Sequence, residues 1–386
     1  MKKILIAKTS AGFNTALIED GMLVELMQDI GEASLAGNIY LGVVRKTTGG
    51  FIFLDIGESK QVFLDMRDGR ERRSFPDGKP APMLGTTILV QVLKDAVGEK
   101  GANVTSSISY TGRYVMISES LDADKINCSK KILDYNEVKR LKNIVNTCLP
   151  LGFSAIIRTS AEGKSENDIE TEIKALLARW DADQENQKKR APAVLYHQST
   201  IIKTLKEIVR DDIDQIVVDS HDVMNKIKSE FLPLYPDFVG KVLLHEKDES
   251  IFVSNFVKTQ IDKLLDKRVW LRCGGYIVIE QTEACVVIDV NTGKQKSKGG
   301  EAAKLALNME AAKEIAHQLR LRNLSGIVIV DFLRLQSRAE MHKLLEYLEQ
   351  ELHKDRIPAL LVGMTNLGLV EITRKRMRKP FVSMKF

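Results

Sequence analysis

The sequence predicts a multidomain protein that combines α/β and α+β parts. Its 386 residues are enough for about two to four domains of ordinary size. Residues 37–109 carry short apolar runs separated by turn residues, a pattern typical of a small all-β barrel of the OB type. The last third alternates fully apolar strands with amphipathic helices, which indicates a parallel or mixed sheet covered on both faces.

The N-terminal part is predicted to be rich in strands. Residues 1–36 alternate apolar and polar side chains around Asp20-Gly21, a dipeptide typical of a β-hairpin. We interpret the N-terminus as a first strand, because it lacks the apolar core and cleavage site of a signal peptide. The barrel strands that we expect are residues 39–44, 51–56, 61–64 and 87–93, with a basic, Pro/Gly-rich loop at residues 67–82.

The middle of the chain mixes the periodicities of strand and helix. In residues 110–205, the run 154–157 is a short apolar strand, and residues 169–180 have the apolar spacing of a helix. Residues 206–265 continue this alternation. The elements that we expect there are strands at 215–218 and 241–244 and helices at 221–230 and 250–265.

The last third has the clearest pattern. Residues 269–271 and 276–279, joined through Gly274-Gly275, predict a hairpin. Residues 284–290 and 327–330 are apolar strands, and the helix between them spans residues 301–321. A further helix is predicted at 341–352 and a further strand at 359–362.

Two aspartates stand at the carboxyl ends of the two apolar strands. Asp289 ends the run Val286-Val287-Ile288, and Asp331 ends the run 327–330. A strand–helix–strand order sets the two strands parallel, and parallel neighbours lie about 4.8 Å apart. Ligands of such sheets bind beyond the carboxyl ends of the strands, where these carboxylates are expected to meet.

Two carboxylates at this spacing suit a magnesium ion, which takes one or two carboxylates and keeps several water ligands. Such an ion activates a water for attack on a phosphodiester and neutralises charge on the phosphate. Asn291 lies two residues after Asp289, on the same strand face, where its amide can orient a carboxylate. Candidates for contact with the backbone phosphates of such a substrate follow at Lys294, Lys296 and Lys298. Strand-end aspartates also serve as helix caps or loop residues, and the pattern alone leaves that alternative open.

The composition narrows the class of protein. The net charge of +5 permits an anionic partner without requiring one. No apolar run of roughly eighteen residues occurs, so we expect no membrane-spanning segment. The four cysteines form no CxxC pair, which argues against a disulfide framework and a zinc site and favours a reducing cytoplasm. The spacing around Gly163-Lys164 and Gly293-Lys294 does not match a phosphate-binding loop, so we reject an NTPase.

Four blocks in the last third resemble the ribonuclease E/G family. They occur in the family's order, and the resemblance extends through almost the whole chain. The blocks are Thr282-Glu283-Ala284 with Ile288-Asp289-Val290-Asn291, the helical segment 311–322, Gly326-Ile327-Val328-Ile329-Val330-Asp331-Phe332, and Leu367-Gly368-Leu369-Val370-Glu371-Ile372-Thr373-Arg374-Lys375-Arg376.

The resemblance implies an RNase H-like domain with an inserted OB-type barrel, a 5′-end sensor region and a C-terminal DNase I-like α/β catalytic domain. The boundaries that we expect place the RNase H-like domain at 1–36 and 206–265, the barrel at 37–109, the sensor at 110–205 and the catalytic domain at 266–386. In the catalytic domain the resemblance implies that Asp289 and Asp331 bind magnesium and that Asn291 supports them.

The resemblance also implies two RNA-binding regions outside the catalytic domain. In the barrel, Phe53, Phe63 and Lys100 hold RNA, since an aromatic ring stacks a base for about 1–3 kcal/mol without reading sequence. In the sensor, Arg158, Thr159 and Gly112 receive a 5′-monophosphate, for which the guanidinium fork is suited. Composition alone favours core packing for the phenylalanines and a surface ion pair for Arg158.

Two departures from the family pattern bear on these expectations. The family usually carries an acidic residue three positions after the second catalytic aspartate, where this sequence has Arg334. The sequence also lacks the CPxC-type motif that links family subunits through zinc, so we expect that a homodimer, if formed, is not zinc-linked.

The sequence therefore predicts a cytoplasmic, magnesium-dependent endoribonuclease. We expect it to cut single-stranded RNA to 5′-phosphate and 3′-hydroxyl ends, in ribosomal RNA processing, messenger RNA decay or both. One alternative is a catalytically weak RNA-binding protein of the same fold. Arg334, at a position that is usually acidic in the family, favours this alternative. A second alternative is a small-nucleotide phosphohydrolase, which would leave the barrel without a purpose.

Overall fold

The computed structural model describes residues 1–10, 12–30, 34–67, 82–96, 101–119, 125–186, 188–197, 199–293, 300–377 and 381. The chain forms two compact units. The first consists of Met1–Gly31, Arg210–Met224 and Gly240–Phe386, and the second consists of Glu32–Val209 and Asn225–Val239. Within the described ranges, no helix is long and apolar enough to cross a lipid bilayer.

The first unit contains a five-stranded sheet. Its strands, in spatial order, are Val242–Leu244 (β15), Gln215–Val218 (β14), Lys2–Thr9 (β1), Gly12–Glu19 (β2) and Met22–Ile30 (β3). The predicted hairpin is confirmed, because β2 and β3 pair across Asp20 and Gly21, which have φ of 48° and 79°. Two successive left-handed residues match the twist of the strands that they join.

The prediction of one helix over residues 250–265 is wrong. The structure has Ile251–Ser254 (α5), Lys258–Asp262 (α6) and a 3₁₀ turn at Lys263–Leu265. The helix is interrupted at Phe256, which has a φ of 59° and is 87% exposed. The buried residues on either side, Phe252 and Val257, are five positions apart, a spacing that one helical face does not accommodate.

The helix predicted at residues 221–230 is present in two parts. His221–Lys226 (α4) is α-helical, and Ile227–Phe231 continues it as a π-helical turn. The strands predicted at 215–218 and 241–244 are β14 and β15, and both run parallel to their neighbours in the sheet.

The C-terminal part of the first unit is a six-stranded mixed sheet with two long helices. The strands, in spatial order, are Arg268–Trp270 (β16), Tyr276–Gln281 (β17), Cys285–Asn291 (β18), Gly326–Asp331 (β19), Val370–Arg374 (β21) and Ala359–Met364 (β20). The helices are Glu301–Leu321 (α7) and Arg338–His353 (α8). The hairpin, strands and helices that the sequence predicts here are all confirmed.

Two features of this sheet differ from the prediction. The segment 367–376, interpreted only as a family motif, supplies β21, which pairs with both β19 and β20. The sheet is also covered on one face rather than two, because α7 and α8 both pack against the face that bears Ile288 and Val330. The opposite side, called here the open face, carries the exposed and partly exposed residues Val287, Asp289, Asn291, Ile327, Ile329 and Asp331.

The second unit contains a closed five-stranded barrel, as the sequence predicts. Its strands, in ring order, are Ile39–Thr48 (β4), Phe51–Asp55 (β5), Val62–Asp65 (β6), Asn103–Thr105 (β8) and Thr87–Lys94 (β7). The pairing of β7 with β4 closes the ring, and Ala193–Tyr196 (β13) adds to β4. Closure of the ring leaves its five strands without an unpaired edge. Most of the loop predicted at 67–82 lies outside the described residues.

The rest of the second unit is a four-stranded sheet with helices. The strands, in spatial order, are Ile126–Cys128 (β11), Phe153–Ile157 (β12), Val115–Glu119 (β10) and Ser109–Thr111 (β9). The helices are Tyr135–Cys148 (α1), Glu166–Asn186 (α2) and Thr200–Ile208 (α3). The predicted strand 154–157 and helix 169–180 lie within β12 and α2, and Ile169 and Ile173 of α2 pack on Ile117 and Ile157.

Candidate active site on the open face

The two predicted metal ligands lie side by side on the two central strands of the six-stranded sheet, β18 and β19, at the edge where their carboxyl ends meet. Asp289 and Asp331 are direct partners in the parallel register of β18 and β19. Direct partners lie about 4.8 Å apart and project to the same side of a sheet. Both side chains are exposed on the open face, while Ile288 and Val330 beneath them are buried. The two carboxylates are therefore exposed to solvent, while the strands that carry them are fixed by the buried core.

Asn291 holds one of these carboxylates in place. Its side-chain Nδ2 donates a hydrogen bond of 2.7 Å to Oδ2 of Asp289. This bond occupies one oxygen of Asp289, and the register places Asp331 beside it on the same face. In the described chain, no group of three or more His, Cys, Asp or Glu residues is arranged to hold a metal ion. A metal at this edge would thus rely on two carboxylates, with water completing its coordination.

Polar side chains of α7 form hydrogen bonds with the backbone of the loops around the aspartates. Sequence analysis missed these side chains. Asn308 is fully buried; its Nδ2 donates to the Leu333 carbonyl at 2.8 Å and its Oδ1 accepts from the Leu333 N–H at 3.0 Å. The pair of bonds fixes the chain just after Asp331. The available signal was an asparagine beside the apolar residues Leu307 and Ala311 of an otherwise apolar helix face.

Two glutamates of α7 act in the same way on neighbouring loops. Glu301 accepts hydrogen bonds from the backbone N–H groups of Gln336 and Ser337, beyond Asp331. Glu310 accepts from the backbone N–H groups of Arg272 and Cys273, in the hairpin turn between β16 and β17. One helix thus positions the loops on both sides of the aspartate pair.

Two glycines let the hairpin turn contact the strand that carries Asn291. Gly293 has a φ of 67°, and a Cβ atom there would lie 2.2 Å from the Gly274 carbonyl oxygen. A Cβ atom on Gly275 would lie 2.8 Å from the Asn291 carbonyl oxygen. A side chain at either position would separate these segments. The predicted RNA contact Lys296, like the candidates Lys294 and Lys298, lies outside the described residues.

The predicted barrel phenylalanines lie together on the surface of the second unit. Phe53 and Phe63 are cross-strand partners on β5 and β6, and both are partly exposed. Phe51, which sequence analysis missed, joins them, with ring centroids 6.5 Å from Phe53 and 5.9 Å from Phe63. The guanidinium carbon of Arg67 lies 4.2 Å from the Phe51 ring centroid. Lys100, the third predicted barrel residue, lies outside the described residues.

The three predicted sensor residues also lie together. Arg158 donates to the Gly112 carbonyl at 2.5 Å, and the hydroxyl of Thr159 lies 2.8 Å from that of Ser129. Arg158 and Thr159 are both exposed. An exposed guanidinium beside a hydroxyl is suited to a phosphate group.

A buried carboxylate that sequence analysis missed supports this cluster. Glu172 accepts backbone hydrogen bonds from Tyr114 at 2.9 Å and Val115 at 3.1 Å. Burial raises the pKa of Glu172 to about 7, against the lowering effect of these bonds and of Arg158. A Cβ atom on Gly112 would lie 1.7 Å from Oε1 of Glu172, so only glycine fits there.

Comparisons with known proteins identify relatives of this chain. The model of the Ribonuclease E/G family matches residues 109–377. A ribonuclease E from Nostoc sp. (strain PCC 7120) is 35% identical over 388 residues, which are 97% of this chain but 56% of that protein. The ribonucleases G of Salmonella typhimurium and Escherichia coli K12 are each 32% identical, over 98% of this chain and 80% of their own length.

The chain therefore belongs to the ribonuclease E/G family. This confirms the family, and with it the nuclease class, that the sequence motifs predict.

Proposed function

We propose that this protein is a magnesium-dependent endoribonuclease that cleaves single-stranded RNA and leaves 5′-phosphate and 3′-hydroxyl ends. The observation that carries the proposal is the aspartate pair: Asp289 and Asp331 are in direct register on parallel strands, exposed at the same edge. Membership of the ribonuclease E/G family supports RNA as the substrate.

The residues present fit a magnesium ion. Asp289 and Asp331 offer only oxygen ligands, and Asn291 orients the first of them through its 2.7 Å hydrogen bond. Magnesium prefers such carboxylates and retains water in the remaining positions, which an exposed sheet edge allows. When bound, the ion supplies an activated water and neutralises charge that develops on the phosphate.

The protein's own contribution is positioning. The buried bonds of Asn308 to Leu333 and the contacts of Glu301 and Glu310 keep both loops near the aspartates in one arrangement. A preorganised site loses little energy to rearrangement when the transition state forms. The open face leaves room for an extended strand rather than only a mononucleotide.

The second unit supports RNA binding away from the cleavage chemistry. Phe51, Phe53 and Phe63 offer ring faces for base stacking, which tolerates any base. Arg158 and Thr159, with Gly112 behind them, would receive a 5′-phosphate. Specificity should accordingly be loose, because stacking and phosphate contacts carry little base information.

Several finer assignments belong to the same proposal. We infer an RNase H-like domain at 1–36 and 206–265, an OB-type barrel at 37–109, a sensor at 110–205 and a DNase I-like domain at 266–386. We also infer a role in ribosomal RNA processing or messenger RNA decay, a cytoplasmic location and, for any homodimer, a contact without zinc. The four cysteines are free thiols, the state that a reducing compartment maintains.

Cleavage of a fluorescent single-stranded RNA, with either a 5′-phosphate or a 5′-hydroxyl and with or without magnesium, tests the proposal. We expect cleavage only with magnesium and faster cleavage of the 5′-phosphorylated RNA. Asp289→Asn and Asp331→Asn should each lose at least about 100-fold in kcat. Glu280→Gln is the matched control, because Glu280 is an exposed carboxylate on the same face, paired with Lys267 at 2.8 Å.

The outcome separates the proposal from its main alternative, a catalytically weak RNA-binding protein. Arg334, exposed in the loop after Asp331, is the observation that favours the alternative. Tight RNA binding with equal, negligible cleavage by the wild type and both aspartate variants would establish it. Restored cleavage in Arg334→Asp would then identify the cause.

A further inference from the structure

An aromatic and cationic cluster lies on the open face beside the aspartate pair. Trp270 of β16 pairs with Tyr276 of β17, which pairs with Asn291 of β18. Arg268 is at the start of the next row, which runs through Val278 to Asp289 and then to Asp331. Because direct partners project to the same side of a sheet, both rows share the face of the aspartates.

The three side chains contact one another. The rings of Trp270 and Tyr276 lie edge to face, with centroids 5.2 Å apart. The guanidinium carbon of Arg268 lies 4.5 Å from the Tyr276 centroid and 5.7 Å from the Trp270 centroid. The cluster is therefore preformed, and its three side chains would not have to rearrange when a ligand binds.

Trp270 is left 60% exposed by this arrangement. Core packing does not explain it, because the intervening residue Val269 is the one that turns toward the core. An exposed tryptophan next to an arginine is the combination that binds nucleic-acid bases by stacking and the adjacent phosphates by charge.

The position of the cluster fits an RNA strand held at the aspartates. Trp270 stands two strands away from Asn291, which corresponds to about 10 Å across the sheet. A base next to the reacting phosphate could therefore extend from the aspartate pair to the Trp270 ring. Asp289 and Asp331 would repel the phosphate backbone without a metal, whereas Arg268 attracts it.

We propose that Trp270, Tyr276 and Arg268 form a stacking subsite for a base that flanks the phosphate to be cut. The inference rests on the proposed function, since it requires RNA at the aspartate pair. Trp270 stacks the base, Tyr276 holds the indole in place, and Arg268 pairs with the adjoining phosphate. The subsite sets which stretch of a bound strand is presented to the aspartates.

Single-turnover cleavage of RNA oligomers that each contain one abasic nucleotide tests this subsite. With wild-type protein, we expect one abasic position near the cleavage site to lower kcat/KM by about 5- to 150-fold. Trp270→Ala should lower kcat/KM for intact RNA by a similar factor, and the abasic nucleotide at that position should then add no further loss. Trp270→Phe keeps a ring and should restore most of the rate.

Leu360→Ala is the matched control. Leu360 is 61% exposed on the same face. It lies on β20, the outer strand on the other side of the sheet from β16, so truncating it removes a similarly exposed apolar group far from Trp270. Its losses from each abasic position should equal those of the wild type. The inference is overturned if the losses from Trp270→Ala and from every abasic position simply multiply. Wild-type protein that cleaves no RNA would instead overturn the proposed function.

Fluorescence gives a second measurement that does not depend on cleavage. The chain has two tryptophans, so Trp180→Phe leaves Trp270 as the sole tryptophan, which is excited selectively at wavelengths that tyrosine does not absorb. Single-stranded RNA should quench Trp270 in this variant and leave Trp180 unchanged in a Trp270→Phe variant. A spectrum that instead depends on protein concentration, with Trp270→Ala dissociating a dimer in sedimentation, would assign the cluster to a subunit interface and overturn the inference.

Discussion

The buried carboxylate of Glu172 makes the stability of the second unit depend on pH. Its pKa is about 7 in the folded protein, against an ordinary value of 4.5 for a glutamate. Because the folded protein binds this proton more tightly than the unfolded chain does, the free energy of unfolding decreases as pH rises from about 4.5 to about 7. A difference of roughly 2.5 units corresponds to about 3 kcal/mol.

Glu172→Gln isolates this effect, since glutamine has a similar shape and does not titrate. Urea unfolding of both proteins, at about pH 4 and about pH 8, should show the variant gaining about 3 kcal/mol relative to the wild type at the higher pH. Trp180 reports on the same unit, because its ring lies 5.2 Å from that of Phe153. Both proteins would carry Trp270→Phe, so that Trp180 alone is observed.

The reasoning fails if the difference between the two proteins is the same at both pH values. In that case the backbone hydrogen bonds from Tyr114 and Val115 offset the burial of the charge, and the pKa of the folded carboxyl equals its ordinary value of 4.5. A lower stability of the variant at both pH values would not contradict the argument, because only the change with pH reports the titration.

Three further changes have defined outcomes. Asn291→Ala removes the bond to Asp289 and should lower the magnesium affinity, measured by titrating the cleavage rate, by about 10- to 100-fold. Asn308→Leu leaves the N–H and carbonyl of Leu333 unpaired and should lower the free energy of unfolding by about 1–3 kcal/mol in urea; an unchanged midpoint would contradict this. Phe63→Ala should raise KM for RNA by about 5- to 150-fold with little change in kcat, measured by initial rates.

The local pattern of the sequence predicted what local physics determines. The two apolar strands and the helix between them required a parallel pair, and this alone brought Asp289 and Asp331 to one edge. The Asp20-Gly21 hairpin followed similarly from the conformational freedom of two residues. The closed barrel followed from the number and spacing of its short strands.

What the sequence did not predict depends on contacts between distant residues. Nothing in the segment 367–376 indicates that its strand enters between two others, which left β21 and the uncovered face unforeseen. The break at Phe256 reflects which neighbours fall in the core. Asn308 and Glu172 are ordinary polar residues until the backbone groups that they bind, from Leu333 and Tyr114, are known.

The insertion of β21 makes the assembly of the site a late event in synthesis. Asp331 belongs to β19, and one side of that strand stays bare until the ribosome has made Val370–Arg374, the strand that covers it. Until then the nascent chain presents an unpaired apolar edge of the kind that recruits other chains. Premature termination upstream of residue 370 would consequently yield an aggregation-prone fragment rather than a slower enzyme.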